Sequence, residues 1–287
     1  MKKVFYIIFL LFGGSLFAEG EVNTTQPEEE VEIAKIAPTE AKEMETKTEV
    51  KKIISATRGD IKVIEASENI RYLSQKMVKD YLFFYKNPKK LEVKRELDRT
   101  LLKLNDDFRI IVTTTKDRDT KDILEFLAYS KDQIEEIFNE APSSETAALM
   151  LDYSETLLEG ADSIASTHKY DFSDEEKMLM VTKEMEYLLE RVTKYYMALH
   201  VGFNSSTYRE AMQESINQFE ENIGKVNSYK YPSNETEKKE RMNISWEANK
   251  IFLARSEDLF IPKLMFASVN HLEDIVDKIA LYHSKNQ

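Results

Sequence analysis

NIRYLSQKMVKDYL, residues 69–82, returns 115 residues later as EMEYLLERVTKYYM, residues 184–197. Tyr72 falls on Tyr187, Leu73 on Leu188, Lys76 on Arg191, Lys79 on Lys194 and Tyr81 on Tyr196. At one position the copies carry opposite charge, Arg71 falling on Glu186. Apolar residues in both stretches recur at threes and fours, the spacing of one helix face. The same ungapped offset continues downstream. Leu97 falls on Met212, Leu104 on Phe219, Phe108 on Ile223, Leu127 on Met242, Phe138 on Leu253, Leu149 on Leu264, Leu157 on Leu272, Ile164 on Ile279 and His168 on His283. A constant offset through four helices reads as an internal duplication. Its period is too long for a solenoid repeat and suits a small bundle.

The coarse pattern agrees. Ile53, Val63, Ile70, Leu73, Met77 and Tyr81 give a first helix, which Pro88 ends. Leu91, Leu97, Leu101, Leu104, Phe108 and Ile111 give a second, to about Thr113. A third covers about 119–139, and a fourth follows Pro142 and Ser143 to His168. The pattern then restarts. Ser173 with Glu176 forms a capping box, and helices are expected at about 174–202, 205–228, 235–258 and 261–284, with Pro232 and Pro262 marking two starts. The expected fold is all-α: two tandem four-helix bundle modules, 53–169 and 170–287.

Composition supports helices. Among 287 residues there are seven Gly and six Pro, and hydrophobic content is 42%. A net charge of −12 argues against nucleic acid, whose phosphates it would repel. Lys2 and Lys3 precede an apolar run from Val4 to Phe17, then Ala18-Glu19-Gly20. That is the form of a secretory signal peptide, placed at 1–18, with cleavage after Ala18 or Gly20. The run is short for a membrane span, which needs roughly 20 residues. No Cys is present, so neither a disulfide nor a lipoprotein anchor is expected, and the expected location is the periplasm. Residues 19–52 are acidic, repetitive and without aromatics, and read as a disordered spacer. Within it EVNTT fits an acid-extended glycosylation sequon at Asn23, a five-residue match that chance also supplies.

Catalytic signatures are missing: there is no phosphate loop, dinucleotide fingerprint or nucleophile elbow. His168, His200, His271 and His283 lack the i, i+4 spacing of a metal pair and read as structural. No enzyme activity, cofactor or metal is expected. The helix of residues 69–82 is more informative. Arg71, Ser74, Gln75 and Val78 share one face, so a guanidinium stands beside a hydroxyl and an amide. Such a trio suits a planar anion, and the plainer alternative is a solvated or salt-bridged Arg71.

ENIRYLSQKM, residues 68–77, resembles the signature of the PilJ-type domain, the N-terminal sensory domain of type IV pili methyl-accepting chemotaxis transducers, shared with nitrate/nitrite-sensing histidine kinases. Its pattern is roughly G-R-Q-R-M-L-S-Q-R-M. Arg71, Leu73, Ser74, Gln75 and Met77 match, Lys76 replaces Arg, and Glu68, Asn69, Ile70 and Tyr72 depart from it. The second copy keeps Leu188 and Arg191 but has Lys183, Glu184, Glu186 and Leu189 at the family's Gly, Arg, Arg and Ser. The resemblance implies a sensory domain in which Arg71 reads a small anion where the first helices of two subunits meet. A homodimer would supply that meeting, or the second copy would imitate the second subunit. Glu186 would then repel an anion, or Arg71 and Glu186 would neutralise each other across the repeats. Relatives continue into a membrane span and a signalling module, so this chain would act through a membrane receptor or envelope protein. The expected function is a periplasmic sensory or ligand-binding accessory protein. The alternative is a structural or protein-interaction protein of the envelope without a small ligand.

Overall fold

Thr57 and Asp60 open the first helix reciprocally. The Asp60 amide donates to the Thr57 hydroxyl at 3.1 Å and the Thr57 amide to the Asp60 carboxylate at 3.0 Å. Two otherwise orphaned amides are thereby satisfied. The computed structural model describes residues 57–255 and 260–287; the signal peptide at 1–18, the spacer at 19–52 and Asn23 lie outside them. Helix α1 spans Arg58–Lys86, α2 Leu91–Thr114, α3 Arg118–Phe138 and α4 Ser144–Thr167. Helix α5 spans Asp174–Val201, α6 Ser206–Ser228, α7 Ser233–Ala254 and α8 Pro262–Lys285. Among the described residues there is no strand. Ser173 caps α5 with Glu176 reaching back, and Gly202 ends it at φ 112°, a left-handed conformation that costs glycine little. Pro262 sits in the first turn of α8, whereas Pro232 precedes α7 as its N-cap. No helix is long and apolar enough to cross a membrane among the described residues.

The repeat is visible in helix limits and in packing. Shifted by 115, α2 becomes 206–229 against the observed 206–228, and α3 becomes 233–253 against 233–254. Helix α1 packs on α2 and α4, and α3 on α2 and α4, closing a four-helix ring; α5 to α8 repeat that ring. Each ring is closed by the same clasp. His168 at the end of α4 meets Asp60 in the first turn of α1 at 2.8 Å, and His283 near the end of α8 meets Glu175 in the first turn of α5 at 2.6 Å. In both, the other ring nitrogen meets a hydroxyl, Thr120 at 3.0 Å or Tyr231 at 2.8 Å. The nitrogen that faces the carboxylate therefore donates to it, since an ionised carboxylate only accepts. Glu175 is thus a clasp residue. Leu149 and Leu264 match across the repeat yet are 38% and 50% exposed, so the correspondence extends to residues that burial does not dictate.

The rings join along α1 and α5, which lie side by side and parallel. Ile64 shares a crevice with Met180, Arg71 lies over Tyr187, and Lys79 bonds Glu190, contacts that ascend both helices together. This position explains a difference in patterning. Helix α2 buries a single stripe, Leu97, Thr100, Leu104, Phe108 and Ile111. Helix α1, flanked by α2, α4 and α5, buries residues on all sides, including Ser67, Ser74, Gln75 and Lys79. Leu91, expected in the core stripe of α2, is 66% exposed.

Candidate functional site

Arg71 reaches Glu68 one turn back on α1, its Nη1 donating at 2.8 and 2.9 Å to the two carboxylate oxygens, and its Nη2 lies 3.5 Å from Asp162 of α4. On α5, Glu186 accepts from Lys183, also one turn back, at 2.9 and 3.1 Å. Glu68 and Lys183 occupy equivalent positions, as do Arg71 and Glu186. The reversal is therefore compensated inside each helix: the whole i, i+3 ion pair is inverted between copies. The Arg71–Glu186 pair expected across the repeats is replaced by these local pairs, because each charge has a nearer partner on its own helix.

Ser74 and Gln75 do not converge with Arg71 on a common space. Both are fully buried; the Ser74 hydroxyl donates to the Arg71 carbonyl at 2.9 Å, and the Gln75 amide donates to the Ser154 carbonyl at 3.1 Å. The Arg71 guanidinium instead lines a crevice of about 260 Å³ together with Glu68, Asp162, Glu184 and Lys169. Three carboxylates there outnumber two cations, a poor surround for an anion.

A larger cleft, about 590 Å³, lies on the other side of the α1–α5 contact. Both repeats wall it: Asn69 and Tyr72 from α1, Lys103, Asp106 and Asp107 from α2, Lys183 and Glu186 from α5, and Asn270, Glu273, Asp274 and Asp277 from α8. Glu273 is half-buried as a residue, and its Oε1 is buried without a hydrogen-bond partner. Burial, reinforced by the Glu190 charge, pushes its carboxyl well above the usual carboxylate range despite Lys79 and Lys76 nearby. Burial likewise raises Glu186, against the pull of Lys183. The Tyr72 phenol is raised by burial and by Glu190, Glu273 and Glu186. Sequence reasoning missed this cleft because its carboxylates come from helices far apart in the chain.

Asp107 gives a test of this electrostatic surround. Burial pushes its carboxyl up to about 6, although the Asn69 amide donates to it at 3.1 Å. A carboxyl raised on folding binds its proton more tightly in the native state, so its contribution to stability is full below the unfolded pKa, near 3.8, and is lost as pH rises through about 6. Asp107→Asn keeps the acceptor for Asn69 and should raise the unfolding free energy measured by urea titration at pH 7, by at most roughly 3 kcal/mol, with the gap closing by pH 4. An equal gain at both pH values would exclude this cause.

Behind the cleft runs a buried polar network. Lys79 is 2% exposed and Glu190 0%; the Lys79 ammonium meets the Glu190 carboxylate oxygens at 2.8 and 2.6 Å. Lys194, the repeat equivalent of Lys79, reaches α4, bonding the Ser154 hydroxyl at 3.1 Å and the Glu155 carboxylate, which Arg191 also holds at 2.7 Å. No family model matches the chain, and no curated protein or solved structure matches it either.

Proposed function

We propose that this chain is a sensory or ligand-binding accessory module of the cell envelope, PilJ-like in its first-helix signature, which receives a small ligand between its two repeats and acts through a membrane partner. The supporting observation is the cleft at the α1–α5 junction, which α1 and α2 of one copy and α5 and α8 of the other build together. Its volume, about 590 Å³, falls among those of small-molecule sites, and a buried carboxylate oxygen is left unpaired in its wall. A ligand there touches both repeats, so its binding energy bears directly on how they sit against each other. The Arg71 crevice is the weaker candidate, because Glu68 and Asp162 already hold the guanidinium.

A thermal-shift screen of the purified chain against nitrate, nitrite, other small anions and amines tests the proposal. A ligand at a hundredfold excess over its dissociation constant stabilises by about 2.7 kcal/mol. If none of these compounds moves the transition, binding of small charged ligands is excluded. The second reading, a protein-interaction surface, then takes precedence. It draws support from Phe126 and Tyr129, 64% and 63% exposed and one turn apart on α3.

A further inference from the structure

The two sides of the α1–α5 contact are related by the repeat, yet among the described residues only one places a cation over its tyrosine ring. On the Arg71 side the guanidinium carbon stands 4.2 Å from the centre of the Tyr187 ring, with Glu68 at 2.8 Å and Asp162 at 3.5 Å. The offset carries Tyr187 to Tyr72, Asp162 to Asp277 and Arg71 to Glu186. On the Tyr72 side the aromatic ring and one carboxylate, Asp277, are thus retained, Lys183 stands where the other side has Glu68, and Glu273 is added where the first repeat has Leu158. The cation that fills the other side is replaced by an acid. Glu186 is held by Lys183, but Glu273 Oε1 is buried without a partner. Among the described residues the Tyr72 side chain makes no hydrogen bond and Asp277 no ion pair. Six acidic side chains line the cleft against two cations, Lys103 and Lys183.

We infer that the cleft binds a small organic cation, a guanidinium or primary ammonium, whose head group lies on the Tyr72 ring beside Glu273 and Glu186, in the place that Arg71 occupies on the opposite side. This rests on the proposal that the junction of the repeats is a ligand site, and adds the ligand's class and its seat. The chemistry is that of a cation against an aromatic face with charged acceptors around it. A metal ion fits less well. Among the described residues no three His, Asp or Glu side chains group closely enough to hold one, and about 590 Å³ is far more room than an ion needs. The space suits a cation of amino-acid to polyamine size.

The test is calorimetric titration of the full chain with agmatine and putrescine, and with sodium nitrate as the anionic control, at physiological ionic strength. Three chains are compared: the wild type, Glu273→Gln, and the double variant Lys183→Glu/Glu186→Arg. The double variant transplants the ion pair of the opposite side, so it keeps a local pair on α5 while placing a built-in guanidinium beside Tyr72. Agmatine or putrescine should bind the wild type, and both variants should weaken that binding at least roughly tenfold, a loss of about 1.4 kcal/mol. The melting temperature of the double variant without ligand should stay at or above that of the wild type. Binding of nitrate without either amine would leave the ligand-site proposal standing and overturn the cation. Amine binding that is equal in all three chains would overturn the seat at Tyr72. If neither amines nor nitrate bind, the cation inference and the ligand-site proposal fall together.

Discussion

Lys79→Met should destabilise the protein by about 3–5 kcal/mol, the cost of stranding a buried partner charge. The Glu190 carboxylate is fully buried, and Lys79 supplies its ion pair from α1 across the repeat interface at 2.6 Å. Burial alone lowers the Lys79 ammonium, but Glu190, Asp80 and Glu273 outweigh it, and the net shift is upward. The charged form is therefore the preferred one in the fold. Removing it leaves Glu190 and Glu273, whose charges oppose each other, without the cation that offsets both. Chemical denaturation gives the size of the loss, and Lys79→Met/Glu190→Gln should return a large part of it. A single-site loss below about 1 kcal/mol would mean that the carboxylates simply take up protons, and that the ammonium is not what holds the interface.

The equivalent change in the second repeat should cost less. Lys194 is as deeply buried as Lys79, but burial drives its ammonium down to about 8, and Glu155 opposes that shift without cancelling it. Glu155 also keeps Arg191 at 2.7 Å when Lys194 is lost. Lys194→Met therefore strands no unpaired acid. The two lysines align in the repeat, yet the cost follows what each would leave behind.

Much of the fold is legible in the sequence because apolar periodicity and punctuation are local signals. Ser173 with Glu176, Pro142 and Pro262 place helix starts to within a few residues, and the offset of 115 relates the helix limits of the two rings. What periodicity does not convey is that α1 and α5 are surrounded. Lys79, Glu190 and Lys194 stand at positions that a single-stripe helix would turn to solvent, and only the third neighbouring helix buries them. The inverted ion pair has a sequence signal, since Glu68 and Lys183 are offset by the same 115 residues as Arg71 and Glu186. It emerges when the alignment is read along each helix at i, i+3, and is lost when Arg71 is compared with Glu186 alone. The cleft has no local signal at all. Glu273 and Asp277 of α8 meet Tyr72 of α1 only through packing across the repeats. Ser74 and Gln75 share a helix face with Arg71, but that face is divided between the α4 contact and the crevice. Spacing cannot distinguish a bond to the Ser154 carbonyl from an open site.

The inverted pair makes a prediction that separates inheritance of charge along a helix from pairing across the interface. Arg71→Glu should destabilise by about 3–5 kcal/mol, because it takes the cation from a buried acid and adds a second acid beside it. Glu68 is 7% exposed, and burial already pushes its carboxyl up against the pull of Arg71. Asp162, 3.5 Å from the guanidinium, would become a third negative charge in the same crevice. The double variant Glu68→Lys/Arg71→Glu rebuilds the polarity that Lys183 and Glu186 use on α5 at 2.9 Å, and should recover most of the loss. Recovery should stop short of completion by about 1 kcal/mol, since the guanidinium no longer covers the Tyr187 ring. Pairing across the repeats predicts a different rescue, with Arg71→Glu/Glu186→Arg restoring stability and the change at Glu68 having no effect. Urea midpoints of these four chains decide between the two. If the Glu68 change fails to rescue Arg71→Glu, the charge reversal is not compensated within the helix, and the local i, i+3 pairs do not account for why the duplicated helix tolerates opposite charges at one position.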